Sequence, residues 1–87
     1  MFIANVLGNV VATTKDEGLT GKKLLVVDPV TPNYESCGQP FVAIDTVGAG
    51  FGDKVLVAKG SSARAIFDQP SPIDAAIVAI IDQVEIY

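Results

Sequence analysis

The chain has 87 residues, with ten acidic and six basic side chains, a net charge of −4, a single cysteine and no histidine. An acidic balance repels phosphate backbones, so nucleic acid is not an expected partner, and one cysteine excludes an internal disulfide or a cysteine-based metal site within one chain. Without histidine there is no Ser-His or Cys-His nucleophile pair, no histidine general base and no His/Cys zinc site, so neither catalysis nor a metal or cofactor is expected.

The first strand is expected from Phe2 to Thr13, with Phe2, Ala4, Val6, Val10 and Ala12 on one face and Ile3, Leu7 and Val11 on the other. Gly8 interrupts it, and a glycine inside a strand marks a bulge or a sharp bend of the kind a small barrel needs. Thr14 to Gly21 is polar and glycine-bounded, a solvent-facing turn. The second strand, Lys22 to Val30, stops where Pro29 and Pro32 remove backbone donors. Turn formers then gather around Tyr34 and Cys37 in a loop from Thr31 to Gln39. A third strand from Pro40 or Phe41 to about Val47 and a fourth from Asp53 to Lys59 flank Gly48-Ala49-Gly50-Phe51-Gly52, which predicts a glycine-rich hairpin between them. After Gly60, Ser61 or Ser62 can cap a short helix through Arg64 to Phe67, ended by Pro70. Ser71-Pro72-Ile73-Asp74 repeats a helix-start signal for about one further turn. The last strand is expected from Ala76 to Tyr87, its first half the more deeply covered and its second half alternating Val84 and Ile86 with Gln83 and Glu85. Five strands with a short helix before the last predict one all-β domain over residues 1–87, closed into a barrel so that no sheet edge is left open.

Most of these strands are apolar on both faces. A half-buried strand alternates, yet Leu24-Leu25-Val26-Val27, Val42-Ala43-Ile44, Val55-Leu56-Val57-Ala58 and Ile77-Val78-Ala79-Ile80-Ile81 place hydrocarbon on both sides of the pleat. A monomer of this size exposes roughly 5,000 Å² and buries only about 60–65% of its unfolded surface. The excess predicts a subunit interface, with Val78 and Ile80 in the core or at that interface. No basic segment precedes a long apolar run and no run approaches the ~20 apolar residues of a membrane helix, which points to a cytoplasmic chain without membrane contact.

Three groups of residues invite a chemical reading. Gly48, Gly50 and Gly52 have the glycine density of a phosphate-binding loop but not its setting, because such loops open a helix and here a strand follows; a tight turn with positive φ is the expectation. Asp45, Asp74 and Asp82 lie in or beside apolar segments, where an ionised acid needs partners. Asp74 is expected to accept helix-start amides, and Asp45 and Asp82 to bind loop amides, Arg64 or a lysine at an interface. Arg64, the only arginine, is expected either to bridge subunits or to project as an exposed helical charge. Cys37, with no positive neighbour in sequence to activate it, reads as inert.

Taken in order, Gly21-Lys22-Lys23-Leu24-Leu25-Val26-Val27, Asp45-Thr46-Val47-Gly48-Ala49-Gly50-x-Gly52, Gly60-Ser61-Ser62-Ala63-Arg64 and Asp74-x-x-Ile77-Val78-x-Ile80-Ile81-Asp82 resemble the EutN/CcmL family of bacterial microcompartment vertex proteins. The resemblance spans nearly the whole chain, the Tyr34 to Gln39 loop excepted. It implies a five-stranded OB-like barrel assembled as a homopentamer at the five-fold corners of a polyhedral shell, with hexameric shell proteins as partners and no cofactor. The competing reading of such a barrel, a binding module for single-stranded nucleic acid or another polymer, needs a basic groove and stacking aromatics in numbers this sequence lacks.

Overall fold

The computed structural model describes residues 1–13, 16–60 and 74–87. Five strands form a closed all-β barrel in the order β1-β2-β3-β5-β4: β1 (Phe2–Val10), β2 (Lys23–Val30), β3 (Phe41–Asp45), β4 (Lys54–Lys59) and β5 (Ala75–Ile80). β1 pairs antiparallel with β2 on one side and with β4 on the other. β2 and β3 are antiparallel, as are β4 and β5, whereas β3 and β5 run parallel over Ile44 opposite Ala76 and Asp45 opposite Ile77. A parallel seam inside an otherwise antiparallel five-stranded barrel gives the chain its OB-like topology.

Sequence alternation decides which residues fill the interior. Ala4 and Val6 of β1, Leu25 and Val27 of β2, Ala43 of β3, Val55 and Val57 of β4, and Ala75 and Ile77 of β5 are all at most 2% exposed. Small and β-branched side chains suit a lumen this narrow, which five strands can close and ten side chains can fill. At one end, the Phe2 and Phe41 rings meet at 5.2 Å between centroids, and the Lys59 ammonium sits 4.4 Å from the Phe41 centroid. At the other, fully buried Ala49 enters the core from the β3–β4 connection. Among the described residues, the barrel interior is thus filled by apolar side chains.

The bulge expected at Gly8 is present: the β1–β2 register shifts between Val6 and Gly8, so Leu7 has no partner. Past the bulge, β1 pairs with β2 alone as far as Val10, where β2 begins at Lys23 and pairing stops short of Thr13. The polar turn that follows contains a 3-10 turn, Glu17–Leu19, capped by the Asp16 carboxylate accepting from the Gly18 amide at 2.8 Å. Leu19 packs with Leu24 against Ile44 and Ala76, burying a small cluster outside the barrel.

Two expectations are corrected. β3 and β4 are not a hairpin: β5 lies between them, and the glycine-rich segment crosses the barrel end instead of turning back. Its far side is fastened to β1, with the Gly52 amide donating to the Val6 carbonyl at 3.0 Å and the Val6 amide to the Asp53 carbonyl at 2.9 Å. Nor does the last strand run to Tyr87; it spans Ala75–Ile80. Its partner β4 starts at Lys54, whose carbonyl takes the Ile81 amide at 2.7 Å, and the next carbonyl, that of Asp53, is already engaged by Val6. The helix expected after Gly60 lies outside the described residues.

Candidate subunit-interface surfaces

Asp45 ends β3, and its position follows from register. It pairs with Lys23 of β2, so a carboxylate and an ammonium face each other at the barrel rim, Nζ to Oδ2 3.8 Å. The Asp45 side chain is only 3% exposed. Its oxygens divide between two loop amides, Oδ1 accepting from Val47 at 3.1 Å and Oδ2 from Gly48 at 3.0 Å. A charged acceptor shared by two amides makes strong bonds and fixes the chain reversal after the strand. Lys23 also donates to the Ala49 carbonyl at 2.5 Å, and Asp53 Oδ2 accepts from the Gly50 amide at 2.9 Å. Thr46 ties this rim to β5 by donating to the Ile77 carbonyl at 2.6 Å. Lys23, Asp45 and Asp53 thus bond to the loop that carries Ala49 into the core, and Thr46 joins the rim to β5.

Within that loop Gly48 and Gly52 have φ of +84° and +86°, a region that disfavours any side chain. Gly50 does not, and a Cβ there meets nothing within 4 Å. The expectation of a positive-φ turn therefore holds for Gly48 and Gly52 and fails for Gly50, because the segment is a crossing and not a two-residue hairpin turn.

The outer surface retains much of the two-faced hydrophobicity read from the sequence. Leu7, Val42 and Val47 are 40–46% exposed, Phe51, beside Gly52, is 82% exposed, and Ile80, set opposite core Val55 by register, is 41% exposed at the barrel end. Val78 is half-buried and stands at a second bulge, where the β4–β5 register shifts and leaves it unpaired. A cleft of about 170 Å³ opens outside the barrel between Leu19, Leu24, Val42, Ile44 and Asp74. Of the other expected acids, Asp74 is exposed, its carbonyl accepting from the Gly60 amide at 2.8 Å, and Asp82 is exposed beyond β5. Ser61, Ser62 and Arg64 lie outside the described residues.

Among the described residues no three His, Cys, Asp or Glu side chains approach closely enough to share a cation. Cys37 is exposed, in a hairpin-like loop held by Cys37 donating to the Pro29 carbonyl at 2.9 Å and Ser36 to the Asp28 carboxylate at 3.0 Å. Sequence reasoning missed Lys23, Asp53 and the exposed Leu7 and Phe51. Lys23 and Asp53 matter only through strand register and loop path, which single residues do not announce; Leu7 was signalled by its place beside Gly8, since a bulge re-aims its neighbour.

The fold and its surface define a class: a small OB-like barrel with a filled interior, whose distinctive features all lie on the outside. The family described as ethanolamine utilisation protein EutN/carboxysome matches residues 1–82, and the chain belongs to this EutN/CcmL family. The bacterial microcompartment shell vertex protein GrpN of Rhodospirillum rubrum is 49% identical over 86 residues, 98% of this chain and 97% of GrpN. Its solved structure, a pentameric microcompartment shell protein, superposes with a TM-score of 0.90 over 99% of this chain and all of that one. The shell vertex protein EutN of Escherichia coli is 44% identical, covering 97% of this chain and 90% of EutN. The carboxysome shell vertex protein CcmL of Thermosynechococcus vestitus is 49% identical, covering 97% of this chain and 86% of CcmL.

Proposed function

We propose that this chain is a vertex subunit of a bacterial microcompartment shell, working by geometry and not by catalysis. Five copies close into a ring that occupies a five-fold corner. A sheet of six-fold tiles is flat; a five-fold tile forces curvature and allows a polyhedron to close. The neighbours of such a ring are hexameric shell proteins, and its setting is the cytoplasmic shell itself.

The observation that carries this reading is the apolar outer surface of a barrel whose interior is already full, in a chain nearly half identical to a named pentameric shell protein. A ring requires a heterologous interface, in which two different patches of each subunit meet. Obligate interfaces of this type bury about 2,000 Å² or more and are apolar at the centre. Val78, Ile80, Asp74 and Arg64 are the interface candidates, while Asp45, Gly48 and Gly52 serve the subunit's own rim.

Native mass spectrometry tests the proposal, with a species at five times the 9.1 kDa subunit mass expected. Ile80→Asp, at a position 41% exposed in the isolated subunit, is expected to release folded subunits, because a charge tolerated by water is not tolerated in an apolar contact. A monomeric parent chain, or an intact ring of Ile80→Asp subunits, contradicts it.

A further inference from the structure

The segment that follows β5 is extended and, past Ile81, pairs with no other strand among the described residues. Gln83, Glu85 and Tyr87 form a row on one side, Gln83 Nε2 donating to Glu85 Oε1 at 3.0 Å and the Tyr87 hydroxyl donating to the other oxygen of the same carboxylate. Contacts between residues two apart are those of an extended chain, and they leave Val84 and Ile86 together on the opposite side. Ile86 is 65% exposed. Beyond the Ile81 amide, no described residue of this arm bonds to its own barrel.

The same subunit carries an edge that has no partner among the described residues. β1 pairs with β4 only from Phe2 to Asn5, and its last bonds on that side are those of Val6 with Gly52 and Asp53. Gly8, Asn9 and Val10 pair with β2 alone among the described residues. This stretch holds no proline and no charge, the usual protections of an open edge. Leu7 and Val11 flank it, 46% and 90% exposed. A subunit's own arm does not reach its own edge, because the two continue past opposite sides of the start of β4 and the Gly50–Asp53 segment lies between them.

We propose that the arm, residues 82–87, adds as a strand to the Gly8–Val10 edge of the neighbouring copy, its Val84 and Ile86 covering the neighbour's Leu7 and Val10, which the bulge places on one face. Strand addition takes its affinity from main-chain hydrogen bonds and its register from alternate side chains. An arm given to one neighbour and an edge offered to the other is a heterologous contact, which closes a ring. The inference rests on the ring reading above and supplies one of its contacts.

A chain ending at Ile81, and separately Ile86→Asp in the full chain, are compared with the parent by native mass spectrometry across a dilution series and by amide hydrogen exchange. For both variants the concentration at which the ring dissociates is expected to rise about tenfold or more. Gly8–Val10 amides, slow to exchange in the parent ring, are expected to become fast, while those of Leu25, Val27 and Val57 stay slow and show the barrel intact. Rings of either variant that persist at the parent's concentrations with unchanged Gly8–Val10 protection overturn the strand exchange and leave the ring reading standing. A parent chain that is monomeric at micromolar concentration overturns both.

Discussion

Asp45 offers the sharpest test of how the barrel rim is held. Replacing it with alanine removes the acceptor of both the Val47 and Gly48 amides, at 3.1 and 3.0 Å. Hydrogen bonds to a charged group are worth roughly 1.5–3 kcal/mol each. Both amides lie at an exposed turn where water can take over part of the role, so the lower end applies and the pair contributes about 2–3 kcal/mol. The ion pair with Lys23, at 3.8 Å to an ammonium half in water, adds at most about 1 kcal/mol. Asp45→Ala is therefore expected to cost about 3 kcal/mol, which in a domain of this size lowers Tm by roughly 12–24 °C. Asp45→Asn keeps one acceptor oxygen and is expected to lose about half as much. Lys23→Met, which forfeits the ion pair and the bond to the Ala49 carbonyl, belongs near 1–2 kcal/mol. Urea or thermal unfolding at one fixed protein concentration is the assay, since association raises apparent stability by mass action. An Asp45→Ala protein within about 0.5 kcal/mol of the parent, or an asparagine variant as weak as the alanine one, refutes the reasoning.

The three glycines of the crossing segment are expected to behave unequally. Gly48→Ala and Gly52→Ala each cost about 1–2 kcal/mol through backbone strain, while Gly50→Ala stays within about 0.5 kcal/mol; equal losses at all three in denaturant melts would contradict the assigned φ values. In the core, Ile77→Ala, at a fully buried site, is expected to destabilise by about 2–5 kcal/mol. Urea midpoints showing a loss below about 1 kcal/mol would mean that the lumen collapses around the gap as a packed interior should not.

Much of the barrel could be read from residue pattern because alternation is a local property. For β1, period two set Phe2, Ala4 and Val6 on one face, the interior one, and Gly8 marked the bulge; β2 and β4, apolar on both sides, left open that Leu25 with Val27 and Val55 with Val57 would be the buried pairs. Pairing is not local. Nothing in Gly48-Ala49-Gly50-Phe51-Gly52 says that β5, the last strand of the chain, will insert between β3 and β4, so adjacency in sequence was mistaken for adjacency in the sheet. The arm after Ile80 is the converse case: Val84 and Ile86 alternate as a strand should, but a strand needs a neighbour, and β4 begins too late to supply one. For the rim, the acidity of Asp45 beside a turn announced bonds to loop amides, whereas its pairing with Lys23 depends on the β2–β3 register and was legible only in three dimensions.

The filled lumen has a consequence for transport. With Ala49 seated at one end and the Phe2–Phe41 pair beneath Lys59 at the other, the described residues leave no conduit along the axis of a subunit. In the ring proposed above, a solute crossing a corner would have to pass between protomers, so permeability would belong to the symmetry axis and the seams. Enlarging or shrinking side chains inside the barrel would then change how well such a ring survives heat and leave its leakiness untouched.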